Sequence, residues 1–321
     1  MPHALPKGKA CPKRMQPCVD LLHWLAVCRA MESKLYQNAL SHGGSADLSS
    51  RAKWRLSGAD RIRYLNGQVT NDVRQVKSDS ALYACVTNLK GRIESDVFIH
   101  AVDDTLIIDA PEALRESLGI RLERYIIADD AELEDITDEW RLWHFWGENA
   151  ETGIRSERFG VPGYDVWSPS SEASTQHLSL SAEDVEAFRI LQRIPAYPSE
   201  LNADTFPQEA GLESQAMSFI KGCYIGQEIL SRIKTTGKMP RELIAWEAAG
   251  VGLVIEPGVA LHLGEKNIGM ITSVTQHPLT GIFVGLGFIR QGSAAVDSVL
   301  IVAGGVSSID SVIKISALLN Q

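Results

Sequence analysis

The sequence predicts an α+β fold closed by a small β-barrel, on three observations. Between residues 47 and 146, alternating apolar runs are interspersed with helical stripes, an order that suits α+β layers better than a doubly wound parallel sheet. From Leu243 onward the pattern changes to short strands with Gly, Pro and Asn turns, among them Gly269 to Val274 and Ile282 to Phe288, which reads as a barrel. Between the two lies Lys221-Gly222-Cys223-Tyr224-Ile225-Gly226-Gln227-Glu228, eight positions of unlike polar groups bordered by apolar residues. The expected division is an N-terminal extension over 1–46, dispensable to the fold, an α+β region over 47–242 and the barrel over 243–321.

In chain order, Asp47 to Leu56 suits a strand, and Ser57 suits the cap of a helix carrying Ile62, Tyr64 and Leu65 that stops at Asn66-Gly67. The polar run Gln68 to Asp72 reads either as a loop capped by Thr70 or Asn71 or as a ligand contact. Ala81–Thr87 and Ile93–Val102 flank Asn88-Leu89-Lys90-Gly91, which has hairpin-turn chemistry. A strand at Thr105–Asp109 follows, then a helix from Pro111 to about Ile127 and strands at Ala131–Ile136 and Trp140–Trp146. Residues 147–180 look loop-rich, with Arg158 to Val166 as a distinctive island. Ser181 caps a helix with acids in its first turn, where the macrodipole favours them.

Composition narrows the function. A net charge of −9 disfavours a chain that grips nucleic acid by neutralising phosphates. Five cysteines in 321 residues do not make a disulfide framework, and a reducing compartment fits them. No apolar run reaches the ~18 residues of a membrane span. Lys7, Lys9, Lys13 and Arg14 before the apolar run Val19–Val27 resemble a signal peptide, but Asp20 and His23 interrupt the run.

The octapeptide is the candidate site. Gly222 and Gly226 permit positive φ and close approach. A helix starting at Gly226 offers unpaired N–H groups to an electron-rich ligand. Gln227 offers donor and acceptor and Glu228 accepts only, a pair suited to a nitrogen heterocycle. Cys223, between Lys221 and a helix start, sits where a thiolate is favoured; otherwise it is a small buried hydrophobe and the glycines only shape a turn. Arg232, Lys234, Lys238 and Arg241 add local positive charge beside it, suited to an anionic ligand or to a solvated loop.

These residues resemble a known family. Lys221–Glu228 is similar to the signature octapeptide of the folate-binding YgfZ group, relatives of the glycine cleavage T-protein (aminomethyltransferase). Leu65–Asp72, Lys90-Gly91-Arg92 with Asp96, Arg189-Ile190 with Pro195, Pro207-Gln208-Glu209, and Gly269–Ser273 resemble further segments of that group, over about residues 48–290. The resemblance implies a GcvT-like three-lobed fold around an opening that holds tetrahydrofolate. It implies an accessory protein for iron–sulfur cluster assembly or repair, in bacteria also through tRNA-modifying enzymes; the alternative is an aminomethyltransferase.

By the same resemblance Cys223 and Asp96 are the candidate catalytic residues, and no metal site is implied. Lys221, Tyr224, Gln227, Glu228, Arg232, Arg241, Asn71 and Asp72 are the candidate folate contacts. Cluster assembly factors or cluster enzymes are the expected partners, without nucleic acid or membrane. A monomer is expected, in the cytoplasm or, in a eukaryote, the mitochondrial matrix. The chain departs from T-proteins in carrying Ser95-Asp96 where they have two acids, and in the Lys-Gly-Cys opening of the octapeptide. Serine cannot take a proton usefully near neutral pH, so both departures favour the assembly group. Arg193 stands where relatives usually have glycine.

Overall fold

A computed structural model describes residues 31–147, 153–171, 179–249, 255–303 and 311–319. It contains two antiparallel sheets and a closed barrel. The first sheet has the order β3-β4-β5-β2-β6, with β2 Ala52–Ser57, β3 Leu82–Thr87, β4 Ile93–Val102, β5 Thr105–Ala110 and β6 Glu132–Asp135. The second, β1-β7-β9-β8, joins β1 Gly43–Asp47, β7 Trp140–Gly147, β8 Ile154–Ser156 and β9 Gly163–Pro169. Because β1 precedes the first sheet and pairs with β7 after it, the two lobes are interleaved.

The expected extension over 1–46 is corrected by this pairing: helix Ser33–Ser41 and β1 are integral, and Met31 lies in the core with Trp146, Phe159 and Phe188. Residues 1–30 lie outside the described residues. The strand expected over Asp47–Leu56 is two strands in different sheets, β1 and β2, split at Leu48–Arg51. The island at 158–166 supplies part of β9, which pairs with β7 from Trp140 to Trp146. The helix expected to reach Ile127 spans only Arg115–Glu123, after a 3₁₀ turn at Glu112–Leu114. Ser181 caps helix Ala182–Leu191 by accepting the Asp184 N–H, as its sequence position predicts.

One face of the first sheet is apolar. Trp54, Val86, Val97, Ile99 and Ile108 pack there under helices Arg61–Gln68 and Arg115–Glu123, through Tyr64, Leu65, Leu118 and Leu122. The barrel, β10-β13-β12-β11-β14-β15, runs from β10 Arg241–Ala248 through β11 Ala260–Leu263, β12 Lys266–Gln276, β13 Phe283–Arg290 and β14 Val299–Ala303 to β15 Ser311–Leu318. Trp246, Ile271, Ile289 and Ile313 fill it. No helix among the described residues is long and apolar enough to cross a membrane.

The other face of the first sheet carries a buried charge cluster beside Phe98 and Tyr83. Arg158 joins it to the second sheet, pairing with Asp109 on β5 at 2.7 Å and with Asp165 on β9 at 2.8 Å. Arg51 also pairs with Asp109, and His144 Nδ1 contacts Asp165 at 2.9 Å. Burial, the largest single influence, would raise both carboxyls, but the Arg158 charge together with hydrogen bonds from Arg158 and a histidine, and for Asp109 the Arg51 charge, holds both well below the usual range. His144 is lowered, chiefly by burial, and stays neutral.

Breaking one partner of such a buried pair strands the other charge, so Asp165→Asn should lower stability by about 3–5 kcal/mol at pH 7. The acid limb follows from the signs. A buried neutral histidine destabilises the fold as pH drops below the unfolded value of ~6.5, and depressed carboxyls add their loss below ~4. Thermal unfolding from pH 7 to pH 3 should show a decline in these two steps.

Candidate functional site

The octapeptide is built on a lysine. Lys221 is 4% exposed, and its ammonium donates to the carbonyls of Asn66 at 2.5 Å, Val69 at 2.7 Å and Asn71 at 2.7 Å. Those oxygens lie at or just past the end of helix Arg61–Gln68, where carbonyls lack helical partners. All three donors are consumed, so Lys221 positions the loop and has none left for a ligand. Burial lowers it to about 7, against the attraction of Asp72. Its charge also lies over the Tyr224 ring, 5.0 Å from the centroid.

Two more contacts fix the loop. The Ser218 N–H donates to Thr70 O at 3.0 Å and the Ile225 N–H to Gly67 O at 3.2 Å. On the other flank, the Thr87 hydroxyl donates to Ile225 O at 2.6 Å. Gly226, at φ +88°, caps helix Gln227–Thr236 and lies against the β3–β4 hairpin; a Cβ there would meet Asn88 O at 2.6 Å. Three separately recognised segments, 65–72, the hairpin and the octapeptide, therefore meet. Between the anchors Gly222 turns at φ +103° into open space, and Cys223 is exposed with a free thiol.

Asp96 lies on the polar face of β4, paired in register with Cys85, while Ser95 faces away and donates its hydroxyl to Asp96 O. Asp96 is 8% exposed and raised by burial, with Arg51 opposing. Oδ2 receives the Tyr83 hydroxyl at 3.4 Å; Oδ1 has no partner among the described residues. The Tyr224 hydroxyl is likewise buried with no partner among the described residues, and burial pushes it up to about 12. Cys85, opposite Asp96 in the β3–β4 register, is buried, and burial pushes its thiol up.

The other candidates divide. Asn71 donates to Tyr83 O at 2.9 Å, and Asp72 pairs with Arg74 at 2.7 Å, the contact that lowers its pKa most. Gln227 is half-buried, while Glu228 and Arg232 are exposed on the same helix. Arg241 is engaged elsewhere. It pairs with buried Glu209 at 3.3 Å, donates to Asp204 O at 2.6 Å and stacks over Phe288. Arg92 reaches the same Glu209 carboxylate at 3.2 Å. The Asp109–Arg158–Asp165 cluster carries no local motif; the only sequence signal was the charged Arg158 and Asp165 inside an otherwise apolar island. Among the described residues no His, Cys, Asp or Glu group has the makings of a metal site.

This is a GcvT-like fold, two interleaved α+β lobes with a closed barrel. Residues 31–156 match the family model of the GCVT N-terminal domain. The glycine cleavage system aminomethyltransferase T from Bartonella henselae superposes with a TM-score of 0.75, over 94% of this chain and 96% of that one, at 14% identity. In sequence, the iron–sulfur cluster assembly factor IBA57 homolog, mitochondrial, of Pyricularia oryzae is 29% identical over 63% of this chain. That match spans 56% of the fungal protein, little more than half its length. The aminomethyltransferase of Listeria monocytogenes serotype 4b (strain CLIP80459) is 25% identical over 77% of this chain and 78% of its own.

Two substitutions probe the anchors. Lys221→Met should cost about 1–3 kcal/mol, because it strands the buried Val69 carbonyl, while the half-buried Asn66 and Asn71 carbonyls can turn to water. Gly226→Ala should destabilise by more than the ~1 kcal/mol of an ordinary loop change, since strain at positive φ adds to the clash with Asn88. Urea unfolding of both variants measures the two costs.

Proposed function

We propose that the chain is a reduced-folate-binding accessory protein of the YgfZ type, serving iron–sulfur cluster assembly or repair. The observation that carries this reading is the presentation of Cys223. Its thiol is exposed on a turn whose flanks are tied down by Lys221 and Gly226, so it is held out at a fixed place. Stable clusters use about four protein ligands, so a single cysteine acts with a partner, as a transient contact or a nucleophile. The similarity to the fungal cluster assembly factor supports this direction.

A folate fits the polar groups left without partners. Asp96 Oδ1 and the Tyr224 hydroxyl, both buried and without partners among the described residues, would be its acceptor and donor once the site opens to it, and Gln227 and Glu228 lie at the helix start that follows Tyr224. Asn71 and Asp72 shape the loop behind Lys221, so their effect on the ligand is through position. When bound, tetrahydrofolate supplies amine nitrogens that accept a one-carbon unit.

One observation favours the second reading, an aminomethyltransferase. Asp96 is a buried carboxyl with a raised pKa and a free oxygen, the condition in which a carboxyl serves as acid or base near neutrality. The Listeria and Bartonella similarities agree with it. Purified protein given an aminomethylated dihydrolipoyl carrier and tetrahydrofolate would then form methylenetetrahydrofolate, with ammonia and the free dihydrolipoyl carrier released, and Asp96→Asn would abolish the turnover.

The deciding experiment replaces Cys223 with Ala in cells that lack the native chain. Activity of a cluster enzyme under oxidative stress should fall to the level of cells without the protein, while calorimetric affinity for reduced folate stays within about twofold. Full enzyme activity with Cys223→Ala would reject the thiol's role. Absence of folate binding by the wild type would reject the pocket.

A further inference from the structure

Phe98, Asp109 and Lys53 stand side by side in one row across β4, β5 and β2. Because β4 and β2 both run antiparallel to β5, Asp96 and Arg51 each lie two residues from that row, toward the same end of the sheet. Asp96 and Asp109 are thus diagonal neighbours on one face, about 7–8 Å apart at the backbone. The Arg51 guanidinium reaches this corner: Nε donates to Asp109 Oδ1 and Nη2 to Asp109 O at 3.5 Å. We propose that Arg51 is a positioning residue for Asp96, holding the charge against which its carboxyl ionises when it gives a proton to a bound amine. This rests on the reading of Asp96 as a group that meets the ligand.

Asp109 does not need Arg51 to stay paired. Arg158 donates to it through Nη1 at 3.0 Å and Nη2 at 2.7 Å, and His100 Nε2 lies 3.1 Å from Oδ2. Arg158 itself is spent, since Nε and Nη2 also donate to Asp165, both at 2.8 Å. Arg51 keeps Nη1 without a partner among the described residues, and its side chain is 19% exposed. Its backbone is nevertheless fixed. Fully buried Lys53 donates to the carbonyls of Ser49 at 2.6 Å, Arg51 at 2.8 Å and Thr137 at 3.3 Å, and the Arg51 N–H donates to Leu48 O at 3.0 Å. A guanidinium with a free edge is therefore carried on a rigid turn.

The surroundings of Asp96 leave Arg51 as its cation. Tyr83 and Cys85 face it from β3 with Tyr197 packed against them, Asp109 stands on β5, and His100 lies further along β4. Burial holds Asp96 toward its protonated form, Arg51 is the strongest influence against that, and the Asp109 charge adds to burial. Transfer of the proton to an amine nitrogen leaves a carboxylate on Asp96 and an ammonium on the ligand, with no change in total charge. A buried carboxylate with no cation of its own would take the proton back. Arg51 steadies it where it forms.

The test follows the aspartate carboxyls of the isotope-labelled full chain by NMR, with Asp96→Asn identifying the Asp96 signal. In Arg51→Met the Asp96 titration should move to higher pH, and Arg51→Lys, which keeps the charge, should restore most of the difference. Asp165, held by Arg158, should remain a carboxylate in both. A role confined to supporting Asp109 would cost stability in Arg51→Met and leave the Asp96 titration in place, which overturns the proposal. Where Arg51→Met does not fold, the wild type decides. Its Arg51 Nε–H signal should shift along the Asp96 titration and lose that shift in Asp96→Asn; a signal that ignores Asp96 also overturns the proposal. Calorimetry with tetrahydrofolate tests the underlying reading separately. Failure of the wild type to bind rejects that reading, and the titrations still decide whether Arg51 governs Asp96.

Discussion

The arrangement of the candidate site depends on one ammonium group and three carbonyl oxygens. A helix end leaves carbonyls without partners, and a buried lysine cannot remain charged without acceptors. Lys221 solves both problems at once, by filling the gap after Arg61–Gln68 with its own three donors. The consequence is geometric. With residue 221 pinned inward and Gly226 pressed on the hairpin, the intervening Gly222-Cys223 has only the outward course. The exposure of the thiol follows from the burial of its neighbour.

Two kinds of chemistry are thereby kept apart. On the inner side stand Asp96, Cys85 and Tyr224, all buried and all held toward their protonated forms by burial. On the outer side stands Cys223, with Ile220 at 90% exposure and Leu89 at 78% on the surface formed by the octapeptide loop and the hairpin tip. Exposed apolar residues of this kind suit contact with a macromolecule, whereas the inner groups suit a small ligand. Cys85, buried where desolvation pushes its thiol up, is the poorer nucleophile of the two described cysteines.

Local signals were readable from the sequence because their physics is local. The hairpin around Asn88–Gly91, the Ser181 cap, the helix start at Gly226 and the barrel after Leu243 each depend on a few adjacent residues. The inward course of Lys221 was not readable, because its acceptors lie about 150 positions earlier in the chain. Nor was the fate of Arg241, whose partners Asp204 and Glu209 belong to a loop that carries no periodic pattern. Residues 31–47 escaped because a nine-residue helix and a Gly-Gly-Ser strand look like a flexible lead. Their order comes from pairing with β7, a partner about 100 residues away.

The least legible feature, the buried charge cluster between the sheets, also bears on the site. Asp109 stands directly opposite Phe98 in the β4–β5 register, and the Arg158 guanidinium lies over the Phe98 ring at 4.0 Å. Phe98 in turn packs on Tyr83 at 4.6 Å, and Tyr83 holds Asp96. A continuous chain of contacts thus runs from the inter-sheet clamp to the candidate acid. A hydrophobic interface could join two sheets as tightly, since replacing buried ion pairs by apolar residues is often neutral or stabilising. A bidentate guanidinium adds direction: it fixes the lateral position of β9 over β5, and with it the ring against which Asp96 is set. The charges between the lobes are in this view a means of registration, and the site inherits its precision from them.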